Sequence, residues 1–339
     1  MATKFDVAVM HDFYVDRLLY WDTIGGIARA MTEKARVGGG GIHRVGQEDV
    51  RGGNAVNLAY ALSRLGLRTL LITHSDRTHE GVLRQTFDGL GTELRVKPFP
   101  TALTVAFEGE VNVMMGDGRG ASDFGPDALE PGDWRALSNS RLVCVVNWAI
   151  NMKGTKLLTA VRRRLGAEKT IFFDPADFRD RAPEFKELLG ILARRRVVDW
   201  VSMNQQEATA AAPMLGIPGG SPEELCVALA RRLRVVFDLH GDKATYTSEG
   251  TRLTSVRVRA SRTRRLTGAG DIWDAGAVYG RLTGMEEGER LRFANGAAKL
   301  YLESKEPLPP TAEQVYSCLG RPTSRASSRT SKRPCSGSR

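Results

Sequence analysis

The sequence predicts an α/β fold, a doubly wound and mostly parallel sheet with a small β lid. Short apolar runs of β type recur at residues 7–10, 69–73, 142–146, 170–173, 197–203 and 235–239. Helix-type stretches lie between several of them, and strands joined by helical crossovers pair in parallel. Two regions break the alternation, about 12–51, with a glycine run at 38–41, and about 98–120. They hold short alternating stretches such as Thr104, Ala106 and Glu108, or Val111 and Val113, which suit strands outside the main sheet. These two segments are expected to form the lid.

The helix that follows the first irregular region has a clear pattern. Across 54–65, Ala55, Leu58, Ala59, Leu62 and Leu65 recur at helical spacing, and Gly66 follows as a C-cap. In an open parallel sheet, ligands bind beyond the carboxyl ends of the strands. The polar residues that close the apolar runs, Asp12, Asn147, Asp174, Asn204 and His240, are therefore candidates as a set. Each alone reads as a turn or N-cap residue; their recurrence is the functional signal.

Length and composition bound the rest. A chain of 339 residues suits one large domain, here 1–320, with an accessory element. Its 42% hydrophobic and 26% charged residues are those of an ordinary folded protein. The longest apolar run, 142–150, is interrupted by Asn147 and falls well below the roughly 20 residues that span a bilayer. Asp6, His11 and Asp12 break the apolar core that a secretory signal needs, so the expected location is the cytosol. Cys144, Cys226, Cys318 and Cys335 lie far apart without C-x-x-C spacing, which excludes a zinc site or disulfide framework of the usual kind. Residues 321–339 carry +6 of the formal +10 and are rich in Ser and Arg, so this tail is expected to be disordered. The remaining +4 suits anionic small molecules and gives no argument for a nucleic-acid groove, beyond weak tail contacts. A homodimer is left open.

The segment Leu266-Thr267-Gly268-Ala269-Gly270-Asp271-Ile272-Trp273 joins an alternating stretch, Val256, Val258 and Ala260, to an apolar helical run. A glycine-bracketed turn that opens a helix presents unpaired backbone N–H groups at the positive end of the helix dipole, an anion site. Asp271 would repel an anion bound there. Its presence makes sense if it takes a proton from an incoming hydroxyl while the N–H groups stabilise charge on a transferring phosphoryl group. Taken alone, Asp271 reads equally well as a first-turn acid favoured by the dipole.

A second motif breaks that tie. Gly52-Gly53-Asn54-Ala55-Val56-Asn57-Leu58-Ala59, followed by Gly66, resembles the amino-terminal signature of PfkB carbohydrate kinases, and Thr267-Gly268-Ala269-Gly270-Asp271 resembles the carboxy-terminal one. Asn204-Gln205-Gln206-Glu207 is similar to the family's N-x-x-E motif, and the likeness runs from about residue 5 to 320. The resemblance implies a Rossmann-like sheet with a β lid, and ATP-dependent phosphorylation of a hydroxyl on a sugar, sugar phosphate or nucleoside. It implies Asp271 as base and Gly268, Ala269 and Gly270 as the anion hole. Asn204 and Glu207 would organise Mg2+ and its waters near the ATP phosphates, and Gly241, Thr267 and Asn295 would belong to the nucleotide site. Asp16, Gly52, Gly53 and Asn57 would contact the acceptor. Outside the family, Asp16 reads as a solvated charge, Asn57 as a polar residue on an exposed helix stripe and Glu207 as a surface acid.

The chain departs from the family pattern in three places. Arg265-Leu266-Thr267 stands where relatives have Asp-Thr-Thr or Asp-Thr-Asn; a guanidinium has donors only, so activation by potassium is not expected. Ser75 or Asp76 replaces a usual glycine, and Leu239-His240-Gly241 replaces Thr-Leu-Gly. His240 stays open between stacking on a base and a backbone-satisfied loop residue. No G-x-x-x-x-G-K-[ST] occurs, and the glycine run 38–41 lacks the helix and ribose-binding acid of a dinucleotide fold. The rival from another class is a non-catalytic sugar or nucleotide-binding regulator, for which a retained base would be superfluous.

Overall fold

The computed structural model describes residues 3–108, 112–259 and 267–320. Expectations that rest on Val111, Ala260, Arg265, Leu266, Cys335 and the tail lie outside the described residues. In chain order the strands are β1 (Phe5–His11), β2 (Tyr14–Tyr20), β3 (Gly46–Gly52), β4 (Thr69–His74), β5 (Thr92–Lys97), β6 (Ala102–Glu108) and β7 (Asn112–Asp117). They continue with β8 (Ser140–Val146), β9 (Thr170–Asp174), β10 (Trp200–Asn204), β11 (Val236–His240), β12 (Ala244–Ser248) and β13 (Leu253–Arg257).

Among the described residues, nine strands form the main sheet in the order β13-β12-β11-β10-β9-β8-β1-β4-β5. From β11 to β5 every neighbour is parallel, and β12 and β13 add an antiparallel edge. Strands buried on both faces need apolar residues at every position, and β1 shows the consequence: Val7 and Val9 enter one apolar layer, Ala8 and Met10 the other. One layer is covered by the helices Gly154–Leu165, Ala182–Arg194, Gln205–Met214 and Pro222–Leu233. The other lies under the helices Asn54–Arg64, Ala269–Leu282 and Glu287–Glu303. The last two approach closely, because a Cβ on Gly276 would meet Ala294 Cα at 2.7 Å.

The run at 197–203 pairs later than its apolar pattern predicts. Val197 gives its carbonyl to Arg162 Nε at 3.0 Å, outside any ladder, and regular pairing begins at Trp200. Val197 and Val198 are buried all the same, which is why the pattern includes them.

The second sheet has the order β3-β2-β6-β7, built from the two segments that break the alternation. Its root is defined by register. Tyr14, three residues after β1 ends, pairs with Gly52 on one side and Ala102 on the other. Gly52 in turn lies two residues before the Asn54–Arg64 helix, so this sheet rises from the carboxyl edge of the main one.

A buried ion pair joins the main sheet to its helical cover. Arg290 Nη1 and Nη2 donate to Asp238 of β11 at 2.6 and 2.9 Å, and both side chains are fully buried. Glu287 Oε2 accepts from Arg290 Nε at 2.7 Å, and the guanidinium lies 5.1 Å from the Trp200 ring. Removing one partner of such a pair strands a charge in a medium that cannot solvate it. Arg290→Met should destabilise the protein by about 3–5 kcal/mol in thermal or urea unfolding. Adding Asp238→Leu to the same chain should recover much of the loss, and a single variant as stable as the parent would remove the pair from the stability argument.

Candidate active site

The edge where β1, β8, β9, β10 and β11 end collects the polar residues that close the apolar runs. Asp12 is fully buried; its carboxylate accepts the backbone N–H groups of Asn54 and Ala55 at 2.8 and 3.0 Å, and Asn147 Nδ2 at 2.8 Å. Asp12 and Asn147 are thereby committed to holding the start of the Asn54–Arg64 helix. Gly53, the N-cap, has φ 98°, and a Cβ there would lie 2.8 Å from Asp12 O. A side chain is excluded by both conformation and space.

Gly52 is excluded from carrying one by Asp16, whose carboxylate atoms would lie 2.0–2.6 Å from a Cβ. Asp16 on β2 is 5% exposed, beside Thr104 of β6. Burial pushes its pKa up to about 6, with Asp12 and Glu108 adding to the rise and Thr104 and Arg51 opposing it. Asp16, Gly52 and Gly53 are thus brought together under the second sheet.

Asn57, expected on the acceptor, has both amide atoms engaged within the protein. Its Nδ2 donates to Asp271 Oδ2 at 3.0 Å, and its Oδ1 accepts from Arg51 Nη1 at 2.8 Å. Asp271 sits in the first turn of the Ala269–Leu282 helix, whose N-cap Gly268 has φ 83°. The first N–H groups of that helix have no intrahelical acceptor and face the same end as Asp271. Burial raises the Asp271 pKa well above the carboxylate range; the Asn57 hydrogen bond and Arg51 oppose the rise, while Asp174 and Asp12 add to it. Thr267 donates to Glu108 Oε1 at 3.1 Å and accepts the Tyr301 hydroxyl on its carbonyl at 3.1 Å, which ties the turn to β6 and to the Glu287–Glu303 helix.

Sequence reasoning missed two residues. Asp274, one turn beyond Asp271, is 1% exposed and accepts Ser202 Oγ at 2.6 Å. It hydrogen-bonds Asp174, and burial pushes both carboxyls upward; Asp174 adds to the rise of Asp274, while the bond to Asp274 holds Asp174 lower, the behaviour of a pair that shares a proton. The available signal was an acid inside the otherwise apolar stretch Ile272, Trp273, Ala275. Arg51 is the other, and its signal was a cation directly before the glycine pair.

Asn204 and Glu207 form a capping box on the Gln205–Met214 helix: Glu207 N donates to Asn204 Oδ1 and Asn204 N to Glu207 Oε2, both at 2.9 Å. Glu207 is 9% exposed, and burial, reinforced by Asp174 and Asp177, pushes its pKa up to about 8. The crowding that raises it is a demand for positive charge, so the pair fits a divalent cation. Among the described residues no three acidic, His or Cys side chains form a direct cage.

Of the residues expected at a nucleotide, Gly241 follows β11 with its Cβ position 3.0 Å from Gln205 Oε1. Asn295 accepts from Trp273 Nε1 at 2.8 Å and donates to Thr245 Oγ1 at 3.1 Å, linking β12 to the helix that carries Asp271. His240 stacks on Trp273, ring centroids 5.0 Å apart. Its Cε1 lies 3.7 Å from a Cβ position on Gly270, so His240, Gly241 and the anion turn adjoin.

A mostly parallel sheet with a small second sheet over its carboxyl edge, and a glycine turn presenting a buried acid between them, defines the ribokinase-like class. The chain belongs to the pfkB family of carbohydrate kinases, whose model matches residues 31–313. Three solved structures resemble it in fold. Adenosine kinase from Sinorhizobium meliloti is 20% identical with a TM-score of 0.77, covering 94% of this chain and 99% of its own. Ribokinase from Arabidopsis thaliana complexed with ribose and ATP is 18% identical with a TM-score of 0.72 over the same shares, 94% and 99%. A putative ribokinase II from E. coli in complex with ATP and Mg2+ is 13% identical with a TM-score of 0.74, again covering 94% and 99%. Comparison with curated protein sequences gives no match.

Glu207 generates a prediction on stability. Its pKa is about 8 in the folded protein against 4.5 for an ordinary Glu, so the folded state keeps a proton that the unfolded chain releases. Stability from this group is fully present below about pH 4.5 and is lost as pH rises through about 8. Glu207→Gln keeps the capping acceptor and removes the titration. The Tm of Glu207→Gln relative to the parent should therefore rise steadily from pH 5 to pH 8 in ligand-free protein without magnesium, and a constant difference would place the Glu207 pKa in the ordinary range.

Proposed function

We propose that this chain is a magnesium-dependent kinase that transfers the γ-phosphoryl group of ATP to a hydroxyl of a sugar, sugar phosphate or nucleoside. The observation that carries the reading is Asp271, a buried carboxylate held by Asn57 beside the unpaired N–H groups of a glycine turn. Family membership and the adenosine kinase and ribokinase likenesses support the acceptor classes, and the solved complexes with ATP, and with ATP and Mg2+, support the phosphoryl donor.

The acceptor lies between the second sheet and the Gly52-Gly53 turn, with Asp16 accepting from its hydroxyls and the glycines admitting close approach. Asp271 takes the proton of the attacking hydroxyl, whose oxygen bonds to the γ-phosphorus as the bond to the β-bridging oxygen breaks. The raised pKa of Asp271 makes it a stronger base than a free carboxylate, suited to a proton that leaves as the phosphoryl group transfers. The N–H groups of Gly268, Ala269 and Gly270 face the charge on the transferring group. Glu207 and Asn204 would hold Mg2+, which would supply neutralisation of the β- and γ-phosphate oxygens.

ADP release over a panel of sugars, sugar phosphates and nucleosides tests this reading. At least one acceptor should give turnover that depends on magnesium; binding without any ADP release would replace the kinase with a sugar or nucleotide-binding regulator. With that acceptor, Asp271→Asn should lower kcat by a factor on the order of 10² to 10⁴ while nucleotide binding persists. A kcat close to the parent's would take the base role away from Asp271.

A further inference from the structure

Asp271 is surrounded by groups from five elements. Asp12 reaches it from the end of β1, Asp174 from β9 and Asp274 from its own helix, and all three are negative when ionised. Asn57 faces it from the Asn54–Arg64 helix, and Arg51, from the end of β3, supplies the opposing positive charge.

Among the described residues, Arg51 is held from at least three directions. Its Nη2 donates to Pro307 O at 3.1 Å, its guanidinium lies over the Tyr60 ring at 4.2 Å, and its Nη1 donates to Asn57 Oδ1 at 2.8 Å. The Pro307 segment is itself pinned, because Arg64 Nε donates to Pro309 O at 2.7 Å. A guanidinium can only donate, so it fixes which end of the Asn57 amide it meets. The oxygen must face Arg51, and the NH2 group must then face Asp271. Without Arg51 the amide can turn over and set its oxygen against the carboxylate.

We propose that Arg51 is a positioning residue for phosphoryl transfer: it locks the Asn57 amide so that the NH2 group holds Asp271 Oδ2 and leaves Oδ1 to receive the acceptor proton. The inference rests on the kinase reading only in taking Asp271 as the base. Arg51 touches no reacting atom; it acts through Asn57 and through its charge.

The test compares Arg51→Met with the parent, using the acceptor found in the panel. The kcat should fall by about 10²-fold, the cost of a misplaced base, with KM for ATP nearly unchanged. The acid limb of the pH profile of kcat/KM should move up by about one unit, because Asp271 loses a nearby cation and a fixed donor. Arg51→Lys, which restores the charge, should bring the limb back toward the parent position. A residue that only supports folding would lower activity without moving the limb. Arg51→Gln keeps a donor and is gentler on folding; it should give the same shift where Arg51→Met does not fold.

A second readout needs no turnover. In full-length, ligand-free protein labelled with 13C at the Asp carboxyls, the Asp271 resonance is the one lost in Asp271→Asn. Its titration midpoint should be higher in Arg51→Met or Arg51→Gln than in the parent. An unchanged midpoint together with an unchanged acid limb overturns the positioning role, whereas absence of ADP release from the parent overturns the kinase reading alone.

Discussion

The Asp12 carboxylate is the constraint from which the candidate site is built. It is fully buried at the end of β1, and it is satisfied by two backbone N–H groups of the Asn54–Arg64 helix and by the Asn147 amide. A buried carboxylate without such donors would be strongly destabilising; at a helix N-terminus with three donors it is held, and it holds them. Where the helix begins decides where Asn57, one turn on, meets Asp271. The same corner roots the second sheet, since Tyr14 and Gly52 flank it in sequence and pair with each other. β1, β8, the glycine pair and the Asn54–Arg64 helix therefore share one fixed point.

Around that point the site is acidic by composition and much less so by charge. Asp16, Asp174, Asp271, Asp274 and Glu207 all have pKa values pushed upward, in each case chiefly by burial. Several of these groups hold protons where free carboxyls would have lost them. That arrangement lets many carboxyls sit at one sheet edge without the repulsion that full ionisation would bring. Positive charge arriving at Glu207 displaces a proton instead of merely pairing with an existing anion. The backbone N–H groups of the glycine turn provide the complementary feature, positive potential that does not titrate.

The parts of this picture that were legible in sequence are those written in local patterns. The apolar runs located the parallel strands other than β5, strands β2, β3, β6 and β7 fall in the irregular segments, the first of which also holds an unforeseen helix, Ile24–Arg36, and the glycine turns marked where backbone must adopt positive φ or come close to a neighbour. Val197 and Val198 misled because burial, which the pattern records, extends past the hydrogen-bonded ladder, which it does not. Pairings across distant elements left no such trace. Asn57 and Asp271 are 214 residues apart, and nothing local signals that the Asn57 amide bonds both Asp271 and Arg51. The Asn295 amide joins Trp273 to Thr245 with as little local signal. Asp238 carries a charge into the core that Arg290, 52 positions away, makes tolerable.

The close approach at Gly276 carries a consequence for how this chain can vary over generations. The helix bearing Asp271 and the helix bearing Asn295 meet backbone to backbone there, with no room for a single methyl group. An alanine at 276 would act like a shim under one end of a lever, and five residues along the same rod is the carboxylate that faces Asn57. The volume of a residue that no ligand meets thus sets the aim of one that a ligand would. Since the obstruction is the Ala294 backbone, which any residue there would carry, no substitution at 294 clears it, and position 276 is expected to stay glycine.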